Sequence, residues 1–453
     1  MKFLIVLWIA KFFALAVNMI DKNRGSNYAG KIAVKLMPDF VSRVKGIDYD
    51  KVVFVTGTNG KSTTTNLIRH TLISAGKQVA CNAEGANMMA GVATTLIKNT
   101  TLGGKFNKEL LVLEIDERSF PGIYKQLPGR HMGFTNLQKD QVQRNGDPDF
   151  ILRKFRNAIT KDMTLYLNNE EPRSRSLEDV CGKVCYFSVA DNPLTYERKQ
   201  FYDVTMPCPK CGHGIVYERF NLAHIGPFHC SGCDYGSVAE PDVRIDQVDF
   251  ENKTFCHNGK QWKIHYNNPF YIYNYAMCIA ICRHFGLTDQ QMLDAFAAFK
   301  NPVALDHMCN YQGKEIHYLR AKQENPEAFQ SQLDIIATDK RKKVVMVGLY
   351  RVADFDPHYA GTFYFFDCDF DPVIASGVEH YVAFSENVSY DLAARMMMAG
   401  VKEEDITVVD SDDIPTIFRT LENVESDVVY VITNIKHFKP IMNYLTQGGG
   451  EHA

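Results

Sequence analysis

A charge excess is the first thing this chain lacks. Its 453 residues carry 50 basic and 53 acidic side chains, a formal net charge of −3. A protein built to grip a polyanion shows a basic balance, so nucleic-acid binding is disfavoured. Internal repeats are missing too, and the one low-complexity stretch is the tail Gly448-Gly449-Gly450. The cysteine framework of a small secreted domain is also absent. Of twelve cysteines, four fall in two short pairs and others sit in apolar runs, as Cys278 and Cys282 do. That distribution fits a reducing compartment, the cytoplasm, with one metal site.

The chain further lacks an unbroken membrane-length run. Phe3 to Ile20 holds a single charge, Lys11, at its centre, flanked by Lys2 before and by Asp21, Lys22 and Arg24 after. No convincing small-residue cleavage site follows. Three readings stay open, in this order: a helix packed on the protein's own core, a peripheral membrane-contacting helix, and a cleaved signal.

What is present is an ordinary globular composition, 45% hydrophobic and 23% charged, in a chain too long for one core. Two or three domains are expected. The organising stretch is Val52-Val53-Phe54-Val55-Thr56-Gly57-Thr58-Asn59-Gly60-Lys61-Ser62-Thr63. Four apolar, mostly β-branched residues predict a buried parallel strand, which glycines then break before a helical run. Strand, glycine loop and helix N-terminus make an anion site. Loop N–H groups and the helix dipole face a phosphate, Lys61 adds a point charge, and the Ser62 hydroxyl can hold Mg²⁺. The first glycine of the general phosphate-loop pattern is absent, because Val55 stands five before Gly60. The competing reading is a glycine-rich turn with a solvated lysine, and the flanking strand and helix weigh against it.

Further strands are predicted at Gly76 to Cys81, at Leu110 to Glu117, at His131 to Asn136 and at Thr164 to Asn169. With helical segments between them they predict a parallel, doubly wound α/β sheet. Ligands of such sheets gather at the carboxyl ends of strands, which sets Glu114, Asp116 and Glu117 on the rim of the phosphate loop. A carboxylate there can hold Mg²⁺; a helix cap or a surface acid is the alternative, stronger for Asp116 and Glu117 than for Glu114. Cys208-Pro209-Lys210-Cys211 and Cys230-Ser231-Gly232-Cys233 break this rhythm. Their spacing suits four thiolates about a tetrahedral Zn²⁺, with the spacer folding back as a hairpin, a closed and therefore structural site. The stretch Asn268 to Ala276 enters a helix, apolar on to Phe285, that stops at Gly286. After Asn301-Pro302 the composition resets, and strands at Lys343 to Leu349, Tyr381 to Phe384, Ile406 to Val409 and Val428 to Thr433 predict a second α/β domain. In an extended segment the acids Asp367, Asp369 and Asp371 would share a face that could bind a cation, but they read rather as a solvated loop.

Gly57 to Thr63 resembles the ATP loop of the Mur ligases and their folylpolyglutamate synthase relatives. Further stretches resemble one branch, MurT, the ligase subunit of lipid II isoglutaminyl synthase: Asn82 to Met88, Glu114 to Glu117, Phe134-Thr135-Asn136, the four-cysteine insertion and Phe366 to Phe370. The resemblance implies a Mur-type ATPase domain over residues 51–304 with a zinc ribbon at 205–240. It sets a helical segment (1–50) before that domain and a Rossmann-like α/β domain (305–453) after it. It implies ATP-dependent amidation of the D-glutamate α-carboxylate of the lipid II stem peptide, with ammonia from a GatD-like glutaminase. By position, Gly57, Thr58, Asn59, Gly60, Lys61, Ser62 and Thr63 would hold ATP phosphates, Ser62 and Glu114 would hold Mg²⁺, and Asn274 would meet adenine. Asp356, or Asp354 instead, would support the partner's Cys-His pair. The chain departs from the family at Tyr271, at Asn301-Pro302-Val303 and between Leu349 and Phe363. A Mur-type amino-acid ligase acting alone, and a nucleotide-binding scaffold without turnover, remain the other readings.

Overall fold

The computed structural model describes residues 2–20, 25–82, 86–140, 142, 146–197, 206–222, 225–264, 270–300, 306–320, 325–349, 363–433 and 435–447. It divides into two units, one of Met1–Gln138 with Asp147–Asn301 and one of Lys139–Gly146 with Pro302–Ala453.

The first unit is built on a nine-stranded sheet in the order β11-β10-β9-β6-β5-β4-β1-β3-β2. In chain order these are β1 (Val52–Thr56), β2 (Val79–Cys81), β3 (Leu110–Glu114), β4 (His131–Phe134), β5 (Thr164–Asn168), β6 (Lys183–Val189), β9 (Val243–Asp249), β10 (Thr254–His257) and β11 (Lys260–Lys263), with β7 (Ile215–Tyr217) and β8 (Phe228–Cys230) apart in a two-stranded ribbon. From β2 to β9 every pairing is parallel; β10 and β11 extend the sheet antiparallel. β1 lies between β3 and β4 and is buried along its whole length, so it is apolar without alternation. Each fully buried Phe or Leu on these strands, such as Phe54 or Leu113, contributes about 1.5–3 kcal/mol.

Four early helices cover this sheet: α1 (Lys2–Ile20), α2 (Gly25–Leu36), α3 (Lys61–Ser74) and α4 (Met89–Lys98). Val6, Leu7 and Ala10 of α1 join the main core beside Ala29 and Ala33 of α2 and Val92, Ala93 and Leu96 of α4. The first of the three readings of residues 3–20 therefore holds for one side of α1. Among the described residues no helix is long and apolar enough to cross a membrane. The helix Phe270–His284 is apolar around its whole circumference from Tyr271 to Cys282 and correspondingly buried.

The second unit carries a six-stranded sheet, β12-β13-β17-β14-β15-β16, made of β12 (Asp306–Tyr311), β13 (Lys314–Arg320), β14 (Lys343–Gly348), β15 (Val378–Phe384), β16 (Ile406–Val409) and β17 (Val428–Thr433). The order reverses between β14 and β17, the crevice where open α/β sheets take ligands. Residues 350–362, which include Asp354 and Asp356, lie outside the described residues. Lys139 and Val142 belong to this unit. Lys139 Nζ is 3.0 Å from an Asp367 carboxylate oxygen, and the Val142 N–H donates to the Tyr364 hydroxyl at 2.9 Å.

Candidate functional site

The loop after β1 is held open by the exit of β4. Thr58 N–H donates to Asn136 O (2.9 Å), Asn59 N–H to Asn136 Oδ1 (2.9 Å) and Asn59 Nδ2 to Gln138 Oε1 (3.0 Å). Thr58 Oγ1 donates to Gln138 O (3.1 Å) while accepting from Gln138 N–H (2.9 Å). Two positions in the loop require glycine. Gly57 has φ +124°, and a Cβ there would stand 2.2 Å from Thr135 Oγ1 and 2.7 Å from Asn136 O. Gly60, the residue before α3, has φ +86°, and its Cβ would stand 2.5 Å from Asn274 Oδ1. Asn274 thus meets the loop itself, from the helix that packs along α3.

Lys61 opens α3 and folds back over the loop. Its Nζ lies 2.8 Å from Glu117 Oε1, with only a tenth or so of either side chain exposed, and donates to the carbonyls of Gly57 and Thr58. An ammonium held on loop carbonyls at a helix N-terminus is placed to meet phosphate oxygens. Glu114, at the end of β3, pairs in register with Val55 of β1 and is 2% exposed. One of its carboxylate oxygens accepts from Asn87 Nδ2 at 3.0 Å; the other, Oε2, is buried with no hydrogen-bond partner among the described residues. A carboxylate so enclosed is costly unless something positive meets it, and a divalent cation on this rim is the natural complement. The enclosed Glu114 carboxylate therefore fits a divalent cation such as Mg²⁺, and Ser62 lies in the first turn of α3.

Several further residues position this site. Asn82 clamps the Glu114 backbone, accepting its N–H (2.8 Å) and donating to its carbonyl (2.8 Å). Asp116 accepts from Arg118 N–H at 3.1 Å, a turn-capping role, whereas Glu117 takes the Lys61 ion pair. Glu170, at the end of β5, is fully enclosed. Burial pushes its carboxyl up to about 7, against the opposing hydrogen bonds of Tyr273, the Val189 amide and Asn221. Tyr273 Oη donates to Glu170 Oε2 at 2.5 Å and Asn221 Nδ2 to Oε1 at 3.3 Å. No local pattern could have shown this, since Tyr273 stands 103 residues away.

In the ribbon, the four predicted cysteines converge: the sulfurs of Cys208, Cys211, Cys230 and Cys233 all lie within 4.8 Å of one another. Cys208 and Cys233 are 3.9 Å apart and Cys211 and Cys230 3.4 Å. A tetrahedral ion with Zn–S near 2.3 Å sets sulfurs about 3.8 Å apart. The two turns are alike: Lys210 N–H points at Cys208 Sγ (3.4 Å) and Gly232 N–H at Cys230 Sγ (3.3 Å), the donor each thiolate needs. The set fits zinc. Spacer strands β7 and β8 pair antiparallel, as the hairpin expectation had it. Among the described residues this is the one group of three or more His, Cys, Asp or Glu side chains close enough to share a metal ion. Asp367 instead ends a short helical turn and Asp371 begins another, so these acids share no extended face.

Residues 323–436 match the family described as MurT ligase C-terminal. Over 449 residues, 98% of each chain, the protein is 26% identical to the subunit MurT of lipid II isoglutaminyl synthase (glutamine-hydrolyzing) from Staphylococcus aureus. Among solved structures, a pseudomurein peptide ligase type C from Methanothermus fervidus superposes with TM-score 0.65 at 17% identity, covering 90% of this chain and 81% of that one. MurF ligase from Thermotoga maritima, in complex with ADP, gives 0.58 at 15% identity, covering 91% and 83%. The chain is thus similar along its whole length to the subunit MurT, and its fold is that of these ligases.

Proposed function

We propose that this protein is the ATP-using subunit of a carbon–nitrogen ligase of peptidoglycan synthesis. It amidates the α-carboxylate of D-glutamate in the lipid II stem peptide. A GatD-like glutaminase supplies ammonia, and the work is done in the cytoplasm beside the inner face of the membrane. One observation carries the reading: a glycine-cradled loop with a buried lysine and a buried, half-unpartnered Glu114 on a single sheet rim.

Phosphoryl transfer to a carboxylate asks for positioning and charge neutralisation more than for covalent help from the protein. The amides of Gly57 to Gly60 and the start of α3 would orient the nucleotide phosphates. Lys61 would leave its loop carbonyls and Glu117 to meet the negative charge that builds on the transferred group. Mg²⁺, held by Ser62 and Glu114, would supply further neutralisation of the phosphates. Asn274 would fix the nucleotide from the far side of Gly60. Ammonia then displaces phosphate from the acyl phosphate and leaves the amide. Zinc in the ribbon has no open coordination position, so its role is structural.

The test supplies the purified chain and its co-expressed glutaminase with MgATP, glutamine and lipid II, and measures ADP and amidated product together. Matched formation of both is expected. A chain that never releases ADP or orthophosphate with any acceptor overturns the reading, and amide formed from a free amino acid without the glutaminase favours a ligase acting alone.

A further inference from the structure

The first helix has a second face. From Lys2 to Leu15, α1 is apolar around nearly its whole circumference, but only the arc of Val6, Leu7 and Ala10 enters the core. The opposite arc presents Ile5, Trp8, Ile9, Phe12, Phe13 and Leu15, with Phe12 and Leu15 more than two-thirds exposed. At 100° per residue these six share one side of the helix. The charge that interrupts the run in the sequence does not interrupt this face. Lys11 turns inward, and its Nζ donates to Ile97 O at 2.6 Å at the carboxyl end of α4, where a helix dipole welcomes a cation. Trp8 is set half-exposed by its indole N–H, which donates to Leu102 O at 2.9 Å, and the exposed Leu102 side chain widens the patch.

The segment that carries this helix is basic in sequence. Residues 1–47 hold eight lysines and arginines against two aspartates, in a chain whose net charge is −3. An uncharged aromatic-aliphatic stripe in a basic segment complements an anionic lipid surface, and Trp and Phe suit the headgroup boundary. Since the other arc of α1 belongs to the core, the helix has to lie along a bilayer and not across it.

We propose that the exposed arc of α1 is a peripheral docking face for an anionic phospholipid bilayer. The face needs neither ATP nor a partner, so its failure and that of the ligase reading are separable.

The composition provides the probe. Of the two tryptophans, Trp262 is fully buried, so a fluorescence change on adding vesicles reports Trp8. The full chain is mixed with phosphatidylcholine vesicles with and without phosphatidylglycerol, and both sedimentation and emission are followed. Expected are a blue shift and co-sedimentation with anionic vesicles that weaken with salt. A Phe12→Gln/Leu15→Gln variant of unchanged melting temperature should bind roughly tenfold more weakly or worse. Equal binding by variant and parent overturns the proposal. So does a parent that ignores vesicles but forms a dimer that the variant cannot form. Should the double variant unfold, bromine-labelled lipid decides with the parent alone: a quenched Trp8 supports the proposal and an unquenched one overturns it.

Discussion

The phosphate loop and the cysteine ribbon are both short turns at the edge of the same unit, and they are held in opposite ways. The loop is tied by Asn136 and Gln138, and its strand lies between two others in the middle of a large sheet. The ribbon has two three-residue strands and a core of six buried residues, two of them cysteines. So small a core cannot offset the entropy of ordering its turns. The loop borrows its order from its neighbours, whereas so small a ribbon core would gain its order chiefly from a metal held by its four cysteines. Glu170 joins the two, accepting from Asn221 at the base of the ribbon and from Tyr273, next in the chain to the loop-facing Asn274.

The largest effect belongs to the ribbon. Cys230→Ser, or a strong chelator, should take zinc from about one per chain to almost none and open residues 206–240 to protease, because metal binding there is folding free energy of order ~10 kcal/mol. A metal-free ribbon that resists protease as well as the parent does would erase the contrast. Next comes Lys61→Ala. Losing the charge proposed to meet the phosphates should cost at least roughly a hundredfold in ADP release, with zinc content and melting temperature unchanged; a retained rate would put the phosphates elsewhere.

The joint is tested by pH. With its folded carboxyl near 7 and the ordinary value at 4.5, Glu170 is the tighter proton binder in the folded state. Stability should therefore be fullest below about 4.5 and fall as pH rises through about 7. Glu170→Gln should flatten that slope and gain on the order of 3 kcal/mol above it, read from urea melts at several pH values. An unaltered slope would mean the carboxyl is already ionised in its enclosure. Smallest is Gly60→Ala. It sets a Cβ in a left-handed conformation against Asn274, at about 1–2 kcal/mol of stability, and should weaken nucleotide binding in a calorimetric titration more than it lowers the melting temperature.

Much of this was legible in advance because it rests on local pattern. Val52 to Val55 is buried on both faces, so its unbroken β-branched run could be read directly. The four cysteines carried their own spacing. Other features were written in the sequence and missed: Asn258-Gly259 is a two-residue turn with both φ positive between β10 and β11, the strongest short hairpin signal there is. Gln312-Gly313 turns β12 into β13 in the same way, without the asparagine that would have advertised it. What no stretch could reveal is direction and distant pairing. Lys11 looked like an interruption because a sequence does not say which way a helical side chain faces. Glu170 stood out in no local pattern because its partners come from the ribbon and from a helix a hundred residues on.

The short piece around Lys139 has a practical corollary. Lys139 and Val142 count with the second unit, bonding Asp367 and Tyr364, although they are translated long before the rest of it. One cut near residue 302 would therefore yield a carboxyl-terminal fragment missing part of its own fabric. Anyone wishing to study that half by itself should graft the 139–146 stretch back on, or express the two pieces together and let them find each other.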